Sequence, residues 1–129
     1  MEKFLNVLRN AGAKITKQRK LVLEELSCSE YPLTLKEIHH GCSKVDFASV
    51  YRIIELFKEL NIVKEINFAD KKIRFELNED KHHHHIICSE CGKIKEIPVC
   101  FLNEIKNTTN YKITNHNFEL IGICPQCQN

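Results

Sequence analysis

The sequence predicts an α+β fold in two parts: a helix-rich stretch closed by a β-hairpin, then a small α/β unit pinned by four cysteines. Three observations carry this. Apolar residues recur at three- and four-residue steps as far as Leu60, then at two-residue steps from Ile62. The polar run 78–81 reads as a linker, so the parts are expected at 1–78 and 79–129. Two Cys-x-x-Cys pairs, Cys88/Cys91 and Cys124/Cys127, bracket most of the second part.

In chain order, Phe4, Val7 and Leu8 predict a first short helix, stopped by Gly12. Thr16 caps a second helix to about Cys28, its apolar residues being Leu21, Val22, Leu23 and Leu26. Pro32 breaks the chain, and Thr34-Leu-Lys-Glu37 is a capping box opening a third helix, with Leu35 and Ile38 inward and Gly41 at its end. Asp46 caps a fourth. Val50, Ile53, Ile54, Phe57 and Leu60 form its inward stripe, Arg52 lies on the opposite face with Tyr51 on its flank, and Asn61 terminates it. Residues 62–68 and 73–77 read as strands joined at 69–72. Short helices followed by a β-hairpin are the order of a winged helix-turn-helix. In the second part, 84–87 and 93–97 read as strands, 101–107 as a short helix, and 111–123 as a long strand.

With 129 residues, two such parts each have a thin core, so a metal or a dimer interface is expected to help. The chain has no apolar run long enough to span a bilayer and no visible signal peptide, so it is expected to be cytoplasmic and to have no membrane partner. Net charge is +2, but it is unevenly placed: residues 1–77 carry 14 Lys/Arg against 11 Asp/Glu, and 78–129 carry 5 against 6. Lys14, Lys17, Arg19 and Lys20 fall in a stretch without an acid, which suits phosphate contact as well as a solvated helix start.

Disulfides are not expected in a cytoplasmic chain. Four thiolates in two close pairs suit tetrahedral Zn²⁺, and a closed Cys₄ site has no open position for catalysis. Gly92 follows the first pair, where the tight knuckle needs φ > 0. Cys28, Cys42 and Cys100 are isolated, and each is expected to be a small apolar residue rather than a ligand. The run His82–His85 enters a strand, so His83 and His85 face one way, and His82 and His84 the other. Imidazoles joined by the carboxylates Glu76 and Glu96 suit Fe²⁺, Mn²⁺ or Zn²⁺. Such a site draws on both sides of the linker and would fix the angle between the parts. A metal-dependent hydrolase and a metal store are the alternatives from other classes. The hydrolase is disfavoured by the lack of a nucleophile motif or a glycine loop.

The chain resembles the ferric uptake regulator family in Ala13-Lys-Ile-Thr-Lys-Gln-Arg19, Ala48-Ser-Val-Tyr-Arg52, Phe75-Glu-Leu77, His82 to Cys91 with Gly92-Lys93, and Thr114-Asn-His116 leading to Cys124. The resemblance implies a homodimeric regulator, not an enzyme, that binds an AT-rich inverted repeat in double-stranded DNA and usually represses when metallated. It implies Lys14 near the minor groove, Arg19 on phosphate, and Ser49, Tyr51 and Arg52 on a recognition helix. It implies structural zinc on Cys88, Cys91, Cys124 and Cys127, a regulatory site on Glu76, His83, His85 and Glu96, and a further site including His82 and His116. There are three departures. Tyr31 stands where many members have a fifth regulatory ligand, a histidine, leaving four ligands or recruiting His39 or His40. His84 replaces an aspartate of the further site. The usual glutamate of that site falls at Asn103, beside Glu104. The pair Glu76 and Glu96 resembles the iron-sensing branch, with zinc, manganese or peroxide sensing as alternatives.

Overall fold

A computed structural model describes residues 1–68, 70–79 and 83–128. Its contacts divide the chain into two compact units, Met1–Asn78 and Glu79–Asn129.

The first unit holds four helices, α1 (Glu2–Asn10), α2 (Lys17–Cys28), α3 (Leu35–Gly41) and α4 (Phe47–Glu59), and the antiparallel hairpin of β1 (Val63–Asn67) and β2 (Ile73–Leu77). Three helices start on side-chain caps. Thr16 Oγ1 accepts from the Arg19 N–H at 3.2 Å. The Thr34–Glu37 box is reciprocal, at 3.2 and 2.9 Å. Asp46 Oδ2 accepts from the Ser49 N–H at 3.2 Å. Each cap satisfies a donor that the first turn otherwise leaves orphaned, worth about 1 kcal/mol. Asn61 ends α4 in the left-handed region at φ 57°, a conformation asparagine tolerates better than most residues.

Helical spacing turns the apolar residues of α4 inward. Val50, Ile53, Ile54 and Phe57 are buried with Leu8, Val22, Leu23 and Ile38 in one core. Leu35 and Leu60 pack on its margin, only partly buried. Leu33 exchanges backbone hydrogen bonds with Phe75 at 2.9 and 2.7 Å, adding a bridge to the hairpin that periodicity did not announce. At the wing, Asp70 grips the buried Arg74 through both carboxylate oxygens at 3.1 and 2.9 Å, and the guanidinium stacks over Phe68.

The second unit is a three-stranded sheet in the order β4–β3–β5, built from β3 (His84–Cys88), β4 (Ile94–Ile97) and β5 (Glu119–Gly122). The outer strands run antiparallel and parallel to β3 respectively. The short helix α5 (Leu102–Lys106) lies between β4 and β5 in sequence. The long strand expected over 111–123 is reduced to Glu119–Gly122. Its first half alternates at Tyr111 and Ile113, but β3 pairs only from Glu119 onward, so these residues have no ladder to join. A short 3-10 turn, Pro125–Cys127, ends the described chain. Among the described residues of this unit, the buried set is only His84, His85, Ile87 and Cys88. That is far too little apolar surface to hold 51 residues by itself.

Candidate metal centres and nucleic-acid interface

The strongest cluster is sulfur. Cys88 leaves the end of β3, Cys91 follows in the knuckle, and Cys124 and Cys127 flank the terminal turn. Their sulfurs all lie within 4.8 Å of one another, with Cys91 and Cys124 at 3.8 Å. A tetrahedron with Zn–S bonds of about 2.3 Å has edges of about 3.8 Å, so the set fits zinc without rebuilding. The backbone prepares the site. The Gly92 N–H bonds Cys88 O at 2.9 Å, and Gly92 sits at φ 77°, the left-handed region that the spacing predicted for it. The Cys124 N–H donates to Cys88 Sγ at 3.3 Å. That donor, reinforced by the Cys91 N–H, brings the Cys88 thiol down to about 6. Hydrogen bonds with the Cys124 and Cys91 thiols push Cys127 up to about 12. One sulfur therefore ionises readily while another holds its proton, and a divalent cation favours the thiolate at all four. The donor set fits structural zinc.

Strand alternation sorts the remaining ligands onto two faces of the sheet. His85 is opposite Glu96 on β4 and beside Glu119 on β5, so these three share one face, with His83 two residues upstream of His85. The His83 and His85 rings meet edge to face at 4.8 Å. Glu119 was missed by sequence reasoning. Its Oε2 accepts from the His85 N–H at 2.9 Å and lies 3.4 Å from His85 Nδ1. A carboxylate beside an imidazole is the kind of outer partner that orients a ligating ring. Glu76 is on β2 of the first unit, where its carboxylate meets Lys64 Nζ at 3.2 Å. Tyr31 is exposed, and His39 packs edge-on against Phe47.

On the opposite face, His84 is 4% exposed, with its ring 5.3 Å from that of His116 and 5.5 Å from Phe118. Cys100 Sγ lies 3.6 Å from His116 Nε2. His84, Cys100 and His116 form a possible ligand group. Glu104 is exposed on α5 and stands outside that group, and His82 lies outside the described residues. Cys100, expected to be a small apolar residue, instead faces two imidazoles. Cys28 is exposed rather than buried, and Cys42 alone of the three isolated cysteines is buried.

In the first unit, Thr16, Gln18, Arg19, Ser49, Arg52 and Ile53 line one shallow depression between the start of α2 and α4. Arg19 Nη1 donates to Lys14 O at 2.6 Å, fastening the loop before α2. Arg52 Nη2 donates to Ser49 Oγ at 3.1 Å, and Ser49 Oγ donates to Asp46 Oδ1 at 2.6 Å. This chain of bonds holds the Arg52 fork in place on the outer face of α4. Tyr51 is half exposed beside it, and Lys14 and Lys17 are exposed at the entry to α2. Helix α3, the turn 42–46 and α4 follow one another in the order of a helix-turn-helix.

A sequence model of the ferric uptake regulator family matches residues 10–123. The peroxide-responsive repressor PerR of Staphylococcus aureus is 36% identical, over 99% of this chain and 91% of that one. Among solved structures, the ferric uptake regulator of Helicobacter pylori, described with three functional metal-binding sites, superposes with a TM-score of 0.83 at 29% identity, covering 99% of this chain and 91% of the other. The ferric uptake regulator of Vibrio cholerae gives 0.78 at 30% identity, covering 92% and 98%.

Proposed function

Since the chain belongs to the ferric uptake regulator family, we propose that it is a homodimeric, metal-responsive repressor that binds double-stranded DNA, with Fe²⁺ as its signal. One observation carries the reading. A closed four-sulfur set and a separate imidazole–carboxylate face occur on one small sheet, so one ion can hold the fold while another comes and goes. The zinc ion would supply only structural cross-linking.

The proposed regulatory ligands are Glu76 from the first unit and His83, His85 and Glu96 from the second. An ion bound by residues of both units fixes their mutual orientation, and metal that favours the DNA-competent arrangement raises DNA affinity by linkage. Imidazole and carboxylate together suit Fe²⁺ and Mn²⁺ as well as Zn²⁺. Peroxide sensing is the second reading, favoured by the 36% identity to a peroxide-responsive repressor. The test is a gel shift on an AT-rich inverted repeat, titrated with Fe²⁺, Mn²⁺ and Zn²⁺, with and without peroxide. Equal DNA affinity under every condition would sink metal sensing altogether.

On DNA, Lys14, Lys17 and Arg19 are proposed to meet the backbone, and Ser49, Tyr51 and Arg52 the base edges. These roles separate experimentally. Arg52→Ala is expected to cost about 1–3 kcal/mol on the operator and to relax base preference at one position per half-site. Lys17→Ala is expected to weaken all sequences alike and to reduce the salt slope by about 1. Binding of randomised operators at several salt concentrations reads both. Identical profiles for the two variants would mean that the division of labour is wrong.

Dimerisation is proposed to complete the second unit. Phe101, Ile105, Tyr111, Ile121 and Ile123 are exposed there, Ile121 to 57%, and among the described residues β5 is an edge strand with one side unpaired. Buried charge without a partner is strongly unfavourable. Ile121→Asp is therefore expected to shift the protein to monomer in sedimentation while its zinc content stays at wild-type level. An unchanged dimer would exclude β5 from the interface.

A further inference from the structure

We propose that His84, Cys100 and His116 form a thiolate-containing metal site selective for a borderline-soft divalent cation of the Zn²⁺ class, separate from the four-cysteine cluster and from the imidazole–carboxylate face. It shares His116 and the position of His84 with the further site that the family resemblance implies, but takes the Cys100 thiolate where that site has carboxylates, and it does not depend on the DNA-binding reading.

Three separate segments deliver the ligands. His84 is on β3 and faces away from His85, Cys100 lies between β4 and α5, and His116 lies in the irregular stretch before β5. One ligand atom from each falls within 4.8 Å of the others, and Cys100 Sγ is already 3.6 Å from His116 Nε2. A tetrahedral ion with M–N of about 2.0–2.1 Å and M–S of about 2.3 Å holds its donors about 3.3–3.8 Å apart, so closure needs only small side-chain rotations. The Phe118 ring flanks His84, and the His116 backbone N–H is fastened to Asn115 Oδ1 at 2.8 Å. Two imidazoles and a thiolate, with no carboxylate among the three, favour Zn²⁺ over Fe²⁺ and Mn²⁺. The ion would also staple the stretch 107–118, which contains no regular helix or strand.

Three protein ligands leave a fourth position for water. Binding removes the Cys100 proton, since the thiolate is the ligand, and releases it to solvent.

The experiment uses full-length protein with zinc retained in the four-cysteine cluster, titrated anaerobically with Co²⁺ while released zinc is monitored. The expected result is a sulfur-to-cobalt charge-transfer band that grows without zinc release. The band is expected to vanish in Cys100→Ser, to weaken in His116→Ala, and to be displaced by Zn²⁺ but not by Mn²⁺. No band in the wild type, or the same band in both variants, overturns the proposal. Alkylation of the wild type gives a readout that needs no variant. With zinc at about ten times its Kd, iodoacetamide is expected to modify Cys100 roughly tenfold more slowly, while exposed Cys28 is unaffected. Equal Cys100 rates with and without zinc overturn the site. Neither measurement involves DNA, so failure here leaves the regulator reading to its own gel-shift test.

Discussion

Cys88→Ser is expected to unfold the second unit while the first stays folded. Structural zinc contributes apparent binding free energies of about 10–16 kcal/mol in small domains near pH 7. A single core in a unit this small rarely supplies more than about 3–5 kcal/mol, and this one buries few apolar side chains of its own. The metal term therefore exceeds everything else that holds β3, the knuckle and the terminal turn together. The first unit keeps its own core of Leu8, Val22, Ile38, Val50, Ile54 and Phe57. Amide spectra of Cys88→Ser should thus show dispersed signals for residues of the first unit and collapsed ones for the second, with loss of dimer. Chelation of the wild type should reproduce that pattern. Acid should do so too. Near neutral pH Cys88, at about 6, is mostly thiolate, while Cys127, at about 12, keeps its proton. Zinc must displace that proton, so its affinity rises with pH and falls on acidification. Chelator competition at a series of pH values measures the slope. Retention of zinc and of a fully dispersed spectrum by Cys88→Ser would show that the cluster is not the staple.

Much of this was written locally. The caps at Thr16, Thr34 and Asp46 are side-chain-to-backbone bonds three residues long, so the sequence carries both partners. The stripe on α4 needs only helical periodicity to be placed, and so does the outward Arg52. The cysteine pairs declare themselves by spacing. What was illegible depends on pairing between distant segments. Glu119 looks like any acid on a half-exposed strand until the parallel register sets it beside His85, 34 residues away. Cys100 has no motif around it, and its partners sit on another strand and in an irregular stretch. The strand expected over 111–123 failed for the converse reason: alternation was present at Tyr111 and Ile113, but a strand needs a neighbour, and β3 offers its edge only from Glu119 onward.

His83→Ala and Glu96→Gln are expected to abolish the metal-dependent rise in operator affinity and to leave the fold intact. Couplings between sites are typically about 1–3 kcal/mol, which is roughly a 5–150-fold gain on metal binding, and each variant should flatten that gain to unity. The choice of residues follows from burial. His85 is 2% exposed, so removing its ring would leave a cavity, confusing lost stability with lost sensing. His83 is only half-buried, and Glu96 is exposed on β4, so neither supports the core. Glu96→Gln keeps the shape of the side chain and removes only its charge. Glu119→Gln separates orientation from ligation: if Glu119 only sets the His85 ring, its loss should weaken metal affinity about 10–100-fold yet leave the full gain at saturating metal. Both primary variants should retain zinc, dimer and metal-independent DNA binding, because Cys88, Cys91, Cys124 and Cys127 are untouched. Should His83→Ala and Glu96→Gln still show the wild-type gain, the signal ion would have to bind elsewhere, and the His84 face of the sheet, with Cys100 and His116, would be the next place to mutate.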